Sequence, residues 1–125
     1  MITVAQVLKI HAFAIEKFGG ANGVRDTGSL ESALARPFQT FGGTKLYTTI
    51  FEKAAAIGES IIMNHPFIDG NKRTGYLLME ALLRYEGFKI TANDITLYNF
   101  VINISTGTMP FNNIVEWLKE NTGKI

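Results

Sequence analysis

The chain has 125 residues and a formal net charge of +1, from 12 basic and 11 acidic residues. That length supports one domain, spanning residues 1–125, with a core of its own, and 46% hydrophobic against 18% charged residues excludes a disordered polymer. The absence of cysteine excludes a disulfide scaffold, a cysteine–zinc site and a thiol nucleophile, and the lack of a basic excess argues against a general nucleic-acid binder.

Residues 1–6 show no basic segment followed by a long apolar run, so no signal peptide is expected. Apolar stretches are broken by Glu, Lys or Asn well short of about 18 residues, so no membrane span is expected either. The cysteine-free composition fits a reducing cytoplasm.

In chain order, Thr3 with Gln6 has the pattern of a capping box. Val4, Val7, Leu8, His11, Ala14, Ile15 and Phe18 recur at helical spacing until Gly19-Gly20 ends the run. His11 lies on this apolar stripe with no polar partner near it in sequence, and reads as a packed core histidine rather than a catalytic one. Residues 21–28 read as a loop in which Arg25 and Asp26 either pair locally or line a cleft, the structural role being favoured. Ser29 is the expected N-cap of a short helix through Leu30, Ala33 and Leu34, stopped before Pro37.

Residues 38–48 differ in character. Aromatics alternate loosely around Gly42-Gly43, which suggests a small hairpin or flap with Phe41, Thr44 and Lys45 beside the glycines. An ordinary helix-to-helix loop fits these residues equally well. Thr49 with Glu52 forms a second capping box, opening a helix through Ile50, Phe51, Ala54, Ala55, Ile57, Gly58, Ile61 and Ile62. Apolar residues on nearly every face predict that this helix is central and buried, with Gly58 permitting close approach of a neighbour. It should end near Asn64, because Pro66 disfavours the helical conformation at His65.

A further helix is predicted over residues 71–86, with Leu77, Leu78, Ala81, Leu82 and Tyr85 at helical spacing and Gly87 as its stop. Phe88–Ile90 reads as a short extended piece. Asn93 caps a helix closed at Gly107, and Pro110 opens a last one containing Ile114, Val115, Trp117 and Leu118. The fold class is therefore all-α, with five or six helices and a short flap before the central helix, and without internal repeat or linker.

The stretch from His65 to Gly75 stands apart. Between His65 and Arg73 it holds an imidazole, a carboxylate, a glycine turn, a carboxamide and two cations. A helix N-terminus offers free amides and a partial positive charge, and so attracts anions. Gly70 allows a tight turn there, while Lys72 and Arg73 place cations on the first turn, where each costs the helix roughly 0.3–1 kcal/mol. A polyphosphate ligand would turn that cost into attraction. Asp69 either pairs with these cations or supplies a carboxylate to a magnesium ion bridging phosphates. His65, at the mouth of the same loop, carries an imidazole able to accept a hydroxyl proton near neutral pH. Phe67 reads as a core anchor. Any one of these residues alone would fit a solvated helix–helix loop; their joint arrangement favours a phosphate-binding site with a base.

This stretch resembles the signature of the Fic/Doc superfamily, His-x-Phe-x-(Asp/Glu)-Gly-Asn-x-Arg, which His65, Phe67, Asp69, Gly70, Asn71 and Arg73 match without a gap. Residues 18–34 look like the Doc (death-on-curing) branch, the toxin of a type II toxin–antitoxin pair. The resemblance implies that His65 activates a protein hydroxyl, that Asp69 holds magnesium on the phosphates of ATP, and that Gly70, Asn71, Lys72 and Arg73 form the anion nest. It also implies that a flap, matched by Phe41, Gly42, Gly43, Thr44 and Lys45, holds the target segment extended.

Two positions depart from the AMP-transferring pattern. Lys72 stands where glycine is usual, and Tyr76 where those members often carry another arginine. Both resemble Doc, which transfers the terminal phosphate of ATP to a threonine of elongation factor Tu and arrests translation. Gly70, where Doc has alanine, keeps the broader pattern and leaves nucleotidyl transfer open. A degenerate, non-catalytic binding module is a third reading, opposed by the intact motif. The inhibitory pattern Ser/Thr-x-x-x-Glu-(Gly/Asn) fails at both candidates, because Leu82 and Glu116 replace the hydroxyl residue before Glu86-Gly87 and Glu120-Asn121. The resemblance thus implies a separate antitoxin, docked on apolar surface around the cleft, and a protein substrate, with neither nucleic acid nor membrane as a direct partner.

Overall fold

The computed structural model describes residues 2–125. Its central element is α3 (Ile50–Asn64), whose residues 54–58 are all buried. The capping box predicted at its start forms: Thr49 Oγ1 accepts from the Glu52 amide at 3.1 Å, and Glu52 Oε1 accepts from the Thr49 amide at 3.1 Å. Against α3 packs α4 (Asn71–Tyr85), and α1 (Val4–Phe18), α2 (Thr27–Ala35), α5 (Asp94–Ser105) and α6 (Phe111–Glu120) complete the shell. A single core runs through it, including Val7, Leu30, Ile57, Ile61, Leu78, Leu82, Phe100 and Ile114. The chain is all-α as expected, and no helix among the described residues is long and apolar enough to cross a membrane.

The α3–α4 contact is close because glycines face it. A Cβ added at Gly75 would lie 2.5 Å from Ile62 Cγ1 and 3.3 Å from the Gly58 carbonyl oxygen. Alanine gains about 1 kcal/mol in helix propensity, but overpacking a filled core costs about 1–3 kcal/mol. The second effect should win, because Ile62 is β-branched and fully buried and the Gly58 carbonyl is backbone. Gly75→Ala is therefore expected to lower the urea midpoint with an unchanged m-value; an unchanged or raised midpoint would contradict this packing.

One feature corrects the sequence reading and another extends it. Asp26, not Ser29, caps α2: its Oδ1 accepts from the Ser29 amide at 3.1 Å and its Oδ2 from the Ser29 hydroxyl at 3.0 Å. These bonds, the backbone one foremost, hold the Asp26 carboxyl below its ordinary pKa. The extended piece β3 (Phe88–Ile90) also has a partner that the sequence did not reveal, β4 (Thr122–Lys124), paired antiparallel with Phe88 opposite Lys124.

The segment before α3 is a hairpin rather than an irregular loop. Strands β1 (Thr40–Phe41) and β2 (Thr44–Lys45) pair antiparallel across Gly42 (φ 57°) and Gly43 (φ 81°), the two left-handed positions that a two-residue turn of this hand requires. Its base is tied down by Arg36, which donates to Tyr47 Oη at 3.0 Å and Ser60 Oγ at 3.0 Å and pairs with Glu59 at 2.9 Å.

Candidate active site

Between α3 and α4 the chain makes a loop whose shape follows from Pro66 and Gly70. His65, the residue before the proline, ends α3 in the left-handed region (φ 50°, ψ 59°), and it is the one non-glycine residue with positive φ among those described. Such a conformation costs roughly 1–2 kcal/mol and requires outside support. Arg25 supplies it: Nε donates to the His65 carbonyl at 2.6 Å and Nη2 to the Asn64 carbonyl at 2.7 Å, a cation on the negative end of α3. The rest of residues 21–26 lies along the loop. The amides of Arg25 and Asp26 both donate to the Pro66 carbonyl, Ile68 N donates to the Gly23 carbonyl at 3.0 Å, and Val24 bridges Phe67.

Phe67 is the anchor that the sequence suggested, 1% exposed and stacked on His11 with ring centroids 3.8 Å apart. The Asn71 side chain closes the loop on itself, accepting from Phe67 N and donating to Phe67 O, both at 2.9 Å. Its carboxamide is thus committed within the loop, while its backbone amide makes no hydrogen bond among the described residues. Asp69 is held twice: Oδ2 accepts from Ala21 N at 2.9 Å, and its carbonyl accepts from His11 Nε2 at 2.8 Å. Gly70 follows in the left-handed region (φ 78°) and begins α4 with no side-chain cap, so the first amides of that helix stay open. A Cβ at Gly70 would also lie 3.0 Å from Ile15 Cδ1.

His65, Asp69, Gly70, Asn71, Lys72 and Arg73 all line one open cavity of about 950 Å³. Lys72 and Arg73 are exposed on the first turn of α4, and the Arg73 guanidinium carbon lies 3.6 Å from the centroid of the Phe18 ring. The cavity can therefore offer amides and cations to an anion, with an imidazole and a carboxylate beside them. Its far wall comes from α5 through Asp94, Ile95, Leu97 and Tyr98, with Tyr76 of α4. Sequence reading missed that wall, and it missed the bracing by His11, Ala21, Gly23 and Arg25. The hairpin residues Phe41, Gly42, Gly43, Thr44 and Lys45 are exposed and do not line this cavity.

A magnesium ion fits this loop as a phosphate-bridging ion rather than a caged one. The described residues contain no cluster of three or more His, Asp or Glu side chains able to hold a metal, whereas Asp69 presents one carboxylate with Oδ1 free of hydrogen bonds among them. Magnesium bound mainly by phosphates and water needs only one or two such carboxylates.

Residues 1–83 match the family model described as the Fic/DOC family. The chain belongs to the Fic/DOC family. Among Fic/DOC relatives it is similar to the "Toxin Doc" of Mycolicibacterium smegmatis, at 41% identity over 76 residues, covering 61% of this chain and 58% of that protein. The matched stretch thus spans less than two thirds of that relative. It is also similar to the "Protein kinase doc" of Escherichia phage P1, at 25% identity over 122 residues, covering 98% of this chain and 95% of that protein. The His65–Arg73 loop lies inside the part matched by the Fic/DOC model.

Proposed function

We propose that this Fic/DOC chain acts as a toxin-type protein kinase, working as one domain in the cytoplasm and moving the terminal phosphate of ATP to a protein hydroxyl. The observation that carries the reading is the convergence of His65 and the uncapped start of α4, with Lys72, on one cavity. His65 accepts the hydroxyl proton as the oxygen attacks the γ-phosphorus. The bond to the bridging oxygen breaks and ADP leaves. The amides of Gly70 and Asn71, with Lys72 and Arg73, hold the phosphates and oppose the charge that develops on them. Asp69 would hold a magnesium ion, which would supply charge neutralisation of the phosphates.

Lys72 and Tyr76, where AMP-transferring members usually carry glycine and often arginine, favour the kinase, and so does the similarity to the phage "Protein kinase doc". Gly70 is the observation that keeps AMP transfer as the second reading. By resemblance the target is elongation factor Tu, held extended by the Phe41–Lys45 hairpin. A cognate antitoxin would cover the exposed Ile68, Ile95 and Tyr98 around the cavity, which are 55%, 75% and 67% exposed.

The test gives purified protein, cell lysate and magnesium two labelled forms of ATP in parallel. Label passing to a lysate protein from the γ-phosphate alone is expected. Transfer from the α-phosphate would replace the kinase with nucleotidylation, and no transfer from either, with no growth arrest on expression, would replace it with a binding module.

A further inference from the structure

His11 is a buried, titratable side chain that the proposed chemistry leaves without a role. It is 4% exposed, and its ring lies flat on Phe67 with an interplanar angle of 7°. Packing alone would ask nothing of its nitrogens. Yet Nε2 lies 2.8 Å from the Asp69 carbonyl oxygen, 58 residues away in sequence. A carbonyl can only accept, so Nε2 carries the proton and donates.

The peptide joining Asp69 to Gly70 is planar and trans, so its N–H points opposite to its C=O. With the carbonyl held on α1 by His11, the Gly70 N–H is turned away from α1, and it makes no hydrogen bond among the described residues. It then stands at the uncapped start of α4, beside the open amides of the first turn. Glycine at φ 78° lets this peptide plane turn over at little cost, so the local backbone does not fix the direction by itself. The bond from Ala21 N does not fix it either, because it reaches the Asp69 carboxylate and not the main chain.

We infer that His11 is a positioning residue: it locks the Asp69–Gly70 peptide plane and so aims the Gly70 amide into the anion-binding turn. This deepens the proposed function and rests on reading that turn as the phosphate site.

The test compares wild type with His11→Phe, which keeps the aromatic stack on Phe67 and deletes the donor. Calorimetry with ADP and magnesium reads the site, and the amide resonance of Gly70 in the ligand-free protein reads the peptide plane directly. His11→Phe should melt as a folded protein, displace or broaden the Gly70 resonance, and bind ADP about tenfold more weakly, the order expected for one lost hydrogen bond. His11→Gln and His11→Met form a second pair of similar length, of which only glutamine can donate; glutamine should bind ADP better. An unmoved Gly70 resonance in His11→Phe with wild-type ADP affinity would overturn the inference, as would equal affinities in the Gln/Met pair. If wild type itself bound no ADP, the proposed function would fall, while the Gly70 resonance would still decide whether His11 holds the peptide.

Discussion

Replacing His65 by alanine is expected to remove transfer activity while leaving the protein folded. General acid–base catalysis is worth about 10²–10⁴-fold in rate, so a labelled-ATP assay should lose at least that range and growth arrest on expression should disappear. The fold should survive because the supports of this residue act on its backbone. Arg25 Nε donates to the His65 carbonyl, and the His65 amide donates to the Ile61 carbonyl, and both groups persist in the alanine variant. Alanine enters the left-handed region less readily than histidine, a cost that leaves these backbone bonds in place. A variant as toxic and as active as wild type would remove His65 from the role of base.

Phe67→Ala carries the largest expected loss of stability. Emptying a fully buried aromatic site costs about 3–5 kcal/mol, which in a domain of this length corresponds to a fall in melting temperature of about 10–20 °C. The neighbour supplies a control: Ile68 is 55% exposed, and Ile68→Ala should change stability by no more than about 0.5 kcal/mol. The two substitutions flank one peptide bond and differ mainly in burial. The loss should extend to activity measured well below the melting point, because the Phe67 ring stacks on His11, which in turn holds the Asp69 carbonyl. Equal melting temperatures for the two variants would contradict the placement of Phe67 in the core.

The elements that could be read from sequence are those whose signals are local. Thr3 with Gln6 and Thr49 with Glu52 mark the starts of α1 and α3 because a capping box closes within four residues. Pro66 marks the end of α3 for a similarly local reason. The cap of α2 falls on Asp26 and not on the expected Ser29, because both are capping residue types and the geometry makes Asp26 the acceptor and Ser29 its donor. Strand β4 gave no signal, since three residues centred on Gly123 have no alternation to detect.

The site divides in the same way. His65, Asp69, Gly70, Asn71, Lys72 and Arg73 sit in one short stretch, so their chemistry could be read together. What holds them lies far away in sequence: Arg25 is separated from His65 by 40 residues, Ala21 from Asp69 by 48, and His11 from Asp69 by 58. Each partner carries an ordinary local reading, a loop charge, a small loop residue and a core aromatic. Only tertiary packing turns them into a brace for the loop. The α5 wall was hidden for another reason: Ile95 and Tyr98 follow the helical spacing of core residues, and periodicity cannot distinguish a side chain facing the core from one facing a cavity.

The central claim is that this loop moves the terminal phosphate of ATP to a protein hydroxyl. Its most direct measurement is the intact mass of the modified target, isolated after incubation with the purified protein, ATP and magnesium. An increment of one phosphoryl group, absent with His65→Ala, is the predicted result. An increment of a whole nucleotide monophosphate would contradict it.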